Sequence, residues 1–198
     1  IIFDVIFTNE EFEAKYIKKL LPTFKENIIT VSPSPRVLFE KDNSIKNGLL
    51  FVPSLLGWSA NSADEYREDF LTFVSYIRIL KEKNSIDHVG IKLHPSVGRI
   101  SNNKLIEDEL KKILLDVTFY KSDMNIERLV DSHKFILGDV STTLIKSTYR
   151  EDKFVISIDL ENSPESNIMR YYKKINYFKS NDGLDNFYKF NLKPTTKL

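Results

Sequence analysis

Two short stretches of this chain carry residues whose type and spacing suit the chemistry of an anion. The first is Val89-Gly90-Ile91-Lys92-Leu93-His94-Pro95, three alternate apolar positions followed by a histidine beside a proline. Such a pattern reads as a buried strand, and the proline both stops it and pushes the preceding residue into extended geometry. His94 then stands at the carboxyl end of a strand, where open α/β sheets receive their ligands. Its imidazole can donate to a phosphate or titrate near neutral pH. An isolated His-Pro more often caps local carbonyls, and that bland role stays open. Lys92 shares a strand face with His94; it completes a small basic edge or is a solvated charge. The second stretch is Gly138-Asp139-Val140-Ser141-Thr142-Thr143, in which a strand over residues 134–137 runs into a hydroxyl-rich turn that opens a helix. Hydroxyls beside the free N–H groups of a helix start bind phosphate oxygens. Ser141 alone is more often a simple helix cap, and Asp139 reads as structural, a cap or a partner for a sugar hydroxyl.

Taken together the two turns say more than either does alone. Both follow strands, both lie at carboxyl ends, and one strand–helix unit separates them in the chain. In a doubly wound sheet they can face one crevice, with a histidine, hydroxyls and a helix start around a single phosphate. The remaining chemistry-bearing residues are weaker. His88 and His133 stand at the amino ends of their strands, the wrong edge for a ligand. There is no HExxH, no paired cysteine and no acidic cluster of metal spacing, so a tightly held metal is not expected. The absence of GxGxxG and GxxxxGK[ST] disfavours a classical dinucleotide fold and a P-loop NTPase, and the absence of a GxSxG elbow disfavours a hydrolase.

The elements that must position these residues follow from apolar periodicity. Residues 49–53 form a wholly apolar strand stopped by a proline, as expected for a central strand covered on both faces. A helix spans 64–83, with Tyr66, Phe70, Phe73, Val74, Ile77 and Leu80 on its inner face. A strand over 87–93, a helix over 103–115, and a strand over 117–120 follow. Ser122 or Asp123 then caps a helix in which Met124, Ile126, Leu129 and Val130 point inward. The strand 134–137, a helix over 142–149 and a last clear strand over 154–158 complete the series. Such alternation means parallel pairing with right-handed crossovers, and the fold class is α/β, a doubly wound parallel sheet. Ahead of it lie an expected helix over 10–21, short strands near 3–7 and 27–31, and a further one over 37–40. Behind it the pattern weakens, with a helix over 167–174 and an aromatic tail at Tyr171, Tyr172, Tyr177, Phe178, Phe187, Tyr188 and Phe190. That tail covers the sheet edge or packs on another domain or subunit. The division expected is 1–48 as a linker or partial amino-terminal segment, 49–160 as a Rossmann-like domain that binds a nucleotide donor, and 161–198 as a helical tail packed back on the domain or a partner.

Composition narrows the class of partner. The 198 residues carry 29 basic and 28 acidic side chains, a formal net charge of +1, so no electrostatic pull toward nucleic acid is expected. The absence of cysteine removes disulfides, thiol nucleophiles and thiolate metal sites, and is compatible with the cytoplasm. No apolar run reaches the roughly 18 residues a membrane helix needs. The start, Ile1-Ile2-Phe3-Asp4-Val5, lacks a basic leader and reads as the interior of a longer chain.

Lys92-Leu93-His94-Pro95 followed by Gly138-Asp139-Val140-Ser141-Thr142-Thr143 resembles the His-Pro and Ser/Thr-rich motifs of bacterial sialyltransferases and polysialyltransferases. Capsule Kdo transferases and the CDP-glycerol polymerases of teichoic acid synthesis share a similar pair. The resemblance covers roughly residues 49–160 and implies the carboxyl-terminal, donor-binding half of a GT-B glycosyltransferase, a Rossmann-like domain facing a second one. It implies a CMP-sugar as donor substrate, sialic acid first among the sugars, with no tightly bound cofactor and no metal. The acceptor would be a glycan of capsule or lipooligosaccharide, and the site of action the cytoplasm, with peripheral association at the inner face of its membrane and a homodimer both left open. Carried over, His94 contacts the donor phosphate and helps the cytidine monophosphate depart, while Ser141 and Thr142 hold that phosphate. Lys92, Pro95 and Thr143 belong to the same donor site. The family's acidic general base lies in the amino-terminal part, and its Asp/Glu-Asp-Gly-type motif has no match here, so the base would come from a second copy or from residues beyond this chain. A CDP-alditol phosphotransferase uses the same site with transfer at phosphorus, and a non-hydrolysing sugar-nucleotide epimerase would need acids in the cleft. A nucleotide-binding or assembly domain without chemistry is the reading from another class.

Overall fold

In a computed structural model, the described residues are 6–8, 11–20, 28–30, 47–53, 63–93, 108, 111–112, 114, 117–121, 123–160 and 168–195. The chain falls into two compact units, Ile1–Leu38 and Phe39–Leu198. The first holds β1 (Ile6–Thr8), α1 (Glu11–Leu20) and β2 (Ile28–Thr30), with β1 and β2 parallel in the register Ile6↔Ile28. The expected strand over 37–40 lies outside the described residues.

The second unit is a six-stranded sheet made of β3 (Gly48–Phe51), β4 (His88–Ile91), β5 (Val117–Phe119), β6 (Phe135–Gly138), β7 (Phe154–Asp159) and β8 (Ile175–Lys179). Every neighbouring pair is parallel, and the strand order is β5-β4-β3-β6-β7-β8. Helices cover both faces. Leu49, Phe51, Val89, Ile91, Phe135, Leu137, Ile156 and Ile158 pack into one cluster with Phe70, Phe73, Tyr76, Ile77 and Leu80 of α2 (Ala63–Asn84) and Phe187 of α5 (Leu184–Lys189). On the other face, Leu129 and Val130 of α3 (Ile126–Ser132) and Leu144 of α4 (Thr142–Ser147) are buried. The doubly wound parallel sheet read from the apolar pattern is therefore the observed fold. Each fully buried Leu, Ile or Phe contributes about 1.5–3 kcal/mol of transfer free energy, and Leu49, Leu50, Phe51, Ile136 and Leu137 are buried completely.

The caps explain why the helices end where they do. Ser85 (φ 50°) leaves the helical region directly after α2, and Asn47 donates to the Asn84 and Ser85 carbonyls at 3.1 and 2.7 Å, which satisfies acceptors that a helix end would otherwise orphan. Lys83 does the same for α5, donating to the Tyr188 and Phe190 carbonyls at 2.6 and 2.7 Å. The cap of α3 is Asn125, which accepts from the Glu127 and Arg128 N–H groups at 2.8 and 3.4 Å. This corrects the expected cap at Ser122 or Asp123, and Met124 consequently points outward at 43% exposure. Asparagine three residues into the segment offers the same side-chain acceptor, and its β-region backbone (φ −65°, ψ 115°) is the cap geometry.

The carboxyl-terminal stretch departs most from expectation. The helix expected over 167–174 is a single 3-10 turn, Ile168–Tyr171, and it leads into β8, a sixth strand that alternation alone did not reveal. Of the aromatic tail, Tyr172, Phe178 and Phe187 are buried and Phe190 packs against the core, so these rings belong to the sheet and its helical cover. Tyr76 meets Phe187 edge to face at 4.8 Å, and Phe178 meets Phe187 at 5.1 Å. Only Tyr171 and Tyr188 of the group stay exposed. The helix expected over 103–115 lies largely outside the described residues, though Leu114 joins the core cluster.

Candidate functional site

The strand order marks the edge of the sheet that open α/β folds use for ligands. From β3 the chain builds outward through β4 and β5, then returns to the other side of β3 and builds outward again through β6, β7 and β8. The direction of winding reverses between β3 and β6. In open α/β sheets the crevice outside the carboxyl ends at that reversal is the ligand site.

At this point the backbone is tightly drawn together. The Val52 N–H, just past β3, donates to the Leu137 carbonyl at 2.8 Å. A Cβ on Gly138 would lie 2.7 Å from the Val52 carbonyl oxygen, so glycine is required for the two strand exits to approach this closely. Ser157, fully buried in β7, donates its hydroxyl to the Asp139 carbonyl at 2.6 Å and anchors the turn that follows β6. Ser141 has extended backbone (φ −147°, ψ 137°) and its Oγ accepts from the Thr143 N–H at 3.1 Å. The capping role weighed from sequence is thus present, and the hydroxyl hydrogen still has a direction of its own. Thr142 is exposed and Thr143 half-buried on the first turn of α4, with Leu144 buried beneath them.

On the other side of β3, β4 ends at Ile91, and the Lys92 N–H donates to the Phe51 carbonyl at 3.0 Å. The Lys92 side chain, only 7% exposed, turns toward the end of β5, where its Nζ donates to the Lys121 carbonyl at 3.2 Å. Burial pushes the pKa of this ammonium down, and the Asp123 carboxylate opposes that. Lys92 is therefore an anchored cation that ties two strand ends together at the carboxyl edge. His94 and Pro95 lie outside the described residues. What the fold brings together is the pair of strand exits: β4 and β6 both pair with β3, in the registers Phe51↔Ile91 and Phe51↔Leu137. β5 and α3, which separate the two motifs in sequence, do not separate them in the sheet.

Two residues at the carboxyl edge escaped the sequence reading. Asp159 ends β7, is 3% exposed, and accepts from the Tyr177 hydroxyl of β8 at 2.5 Å. Burial, reinforced by that carboxylate, raises the Tyr177 phenol above its ordinary value. The signal was the pair of polar residues two apart at the end of Phe-Val-Ile-Ser-Ile-Asp, which puts Ser157 and Asp159 on one face of an otherwise apolar strand, where buried polar groups need bonded partners. Among the described residues no group of three or more His, Asp or Glu side chains could hold a metal ion, and no helix is long and apolar enough to cross a membrane.

Comparison with protein-family models finds no match, and comparison with curated proteins finds none either. Among solved structures the chain is similar to Thermosulfurimonas dismutans KpsC, described as a beta Kdo 2,4 transferase, at 21% identity and a TM-score of 0.39. The likeness covers 74% of this chain and 44% of that one, so this chain spans less than half the length of that structure.

Proposed function

We propose that residues 39–198 form the donor-binding domain of a glycosyltransferase that moves a sugar, sialic acid by preference, from a CMP-activated donor to a glycan acceptor of the bacterial surface. The observation that carries this reading is the winding reversal at β3, flanked by the two exits that bear the His-Pro and Ser/Thr-rich motifs. The motif resemblance supplies the nucleotide and the sugar class.

In this reading His94 donates to the donor phosphate, and Ser141, Thr142 and Thr143 hold its oxygens beside the first N–H groups of α4. Direct displacement at the anomeric carbon breaks its bond to the phosphate oxygen as the acceptor oxygen attacks. The departing cytidine monophosphate gains negative charge, which these donors offset most strongly in the transition state. Cytidine monophosphate leaves as a phosphate monoester, so no metal is called for. The acceptor's proton goes to a base outside these residues. Lys92 contributes positive charge at the rim and keeps the end of β4 in place. The setting is the cytoplasm, at the inner face of its membrane, and the partners are the donor, the acceptor glycan and a second copy of the chain.

Calorimetric titration with CMP and CDP, against UDP and ATP, tests this. The expected outcome is preferential cytidine binding that His94→Ala weakens at least tenfold, about 1.4 kcal/mol. Equal affinity for all four, or an unchanged affinity in His94→Ala, would defeat the assignment. Phosphodiester rather than glycoside product from a CDP-alditol would redirect it to phosphotransfer.

A further inference from the structure

Away from the carboxyl edge, three titratable side chains are strung together between elements. His88 opens β4, Tyr120 follows β5, and His133 caps α3. His88 Nε2 stands 3.3 Å from the Tyr120 hydroxyl, and that hydroxyl stands 3.3 Å from His133 Nε2. At its far side His133 Nδ1 is 2.7 Å from the Leu129 carbonyl. It also lies 3.0 Å from the Ser132 hydroxyl, which itself donates to Leu129. A carbonyl only accepts, so Nδ1 carries the hydrogen. A neutral His133 then offers a lone pair at Nε2, Tyr120 donates into it, and the Tyr120 oxygen accepts from His88 Nε2–H. The direction is forced along the whole chain.

The packing around it is close. His133 is 1% exposed. A Cβ on Gly90 would lie 2.3 Å from a Tyr120 ring carbon and 3.0 Å from His133 Nε2, so β4 carries glycine where the ring and imidazole press on it.

We propose that His88, Tyr120 and His133 form an acid-released latch that holds α3 against β4 and the end of β5. A proton on His133 turns Nε2 into a donor facing Tyr120. The chain can then survive only by reversing, with Tyr120 donating to His88 and His88 moving its hydrogen to Nδ1. A proton on His88 as well closes that route and sets two imidazoliums against one hydroxyl, their rings 5.8 Å apart. The other charges facing the pair add to this. Lys153 places its ammonium on the His133 carbonyl at 2.6 Å. Asp87 favours and Lys81 opposes charge on His88, and Asp131 is taken up by Arg150 at 2.5 Å. The latch bears on the carboxyl edge, because the chain from Tyr120 to α3 passes through Lys121, whose carbonyl holds Lys92.

Burial lowers the His133 pKa to about 4, the Leu129 bond opposing it and His88 and Lys153 assisting it. The released imidazole titrates at its ordinary value of about 6.5. The folded value is the lower one, so the latch is at full strength above about pH 6.5 and weakens as pH falls toward 4. Between pH 7 and pH 5 the released state gains about twentyfold from His133 alone.

Amide hydrogen exchange at pH 7 and pH 5, corrected for intrinsic rates, tests the latch together with nitrogen-15 spectra of the imidazoles. The expected result is that the Leu129–Ser132 amides lose about twentyfold in protection while those of β3 do not, and that Tyr120→Phe weakens α3 protection already at pH 7. His133→Phe should abolish the pH dependence. If that variant does not fold, the wild-type ring spectra decide, with His133 neutral and Nδ1-protonated at pH 7. An Nε2–H tautomer at His133, or α3 and β3 responding alike to acid, would overturn the proposal.

Discussion

Arg150 shows how a single side chain can join elements that no sequence pattern connects. Its guanidinium, buried between α3 and the turn after α4, bonds Asp131 at 2.5 Å, Glu127, and the Lys146 carbonyl at 3.2 Å. Removing one member of a buried pair leaves the other charge without compensation. Glu127 and Asp131 keep some contact with water, at 26% and 17% side-chain exposure, which tempers the loss. Arg150→Ala should therefore cost about 2–3 kcal/mol and lower the thermal midpoint by roughly 5–10 °C, as calorimetry would measure. Arg150→Lys should recover little, because an ammonium cannot serve two carboxylates with a planar fork. Residue chemistry of this kind is barely legible in a sequence. The capping hydroxyl of Ser141 was legible because a hydroxyl run ahead of a helix is a local signal. Asp131, Glu127 and Arg150 are partners only through folding.

Elements were legible where the apolar period was long or the strand wholly apolar. α2 and β3, β4, β6 and β7 stand within one or two residues of expectation. β8 was missed because Asn176, itself buried, and Tyr177 interrupt its apolar positions, and their polar atoms are satisfied by the tertiary structure alone. Asn176 donates to the Val155 and Lys193 carbonyls at 3.0 and 2.9 Å and accepts from the Lys193 N–H at 2.8 Å, so it clips the final segment onto the sheet. Asn176→Leu keeps the bulk but strands these groups, and a loss of about 2–3 kcal/mol is expected in denaturant unfolding. Gly138 belongs to this scale as well. Gly138→Ala meets the backbone oxygen of Val52 rather than a movable side chain, so β6 must shift. An overpacking cost of about 1–3 kcal/mol is expected, together with weaker cytidine binding in the same titration. Full affinity in a stable Gly138→Ala protein would place the ligand away from this crevice.

For the whole molecule, the sequence by itself determined the class of fold: alternate apolar strands and amphipathic helices in that order can only bury their faces as a parallel sheet covered on both sides. It also determined that the hydroxyl turn at Ser141 would follow β6 at its carboxyl end and open a helix, since capping residues act within a few positions. Neighbourhood in the sheet was decided by the tertiary structure. β5 and α3 intervene between the two motifs along the chain, yet the order β5-β4-β3-β6-β7-β8 sends β5 to the edge and puts β3 between their strands. Strand pairing is set by which faces pack and which crossovers close, and those are long-range contacts that no local signal carries. The same reason accounts for Lys92. Sequence placed it on a basic edge, and only the fold turned its ammonium onto the Lys121 carbonyl of a neighbouring strand's loop.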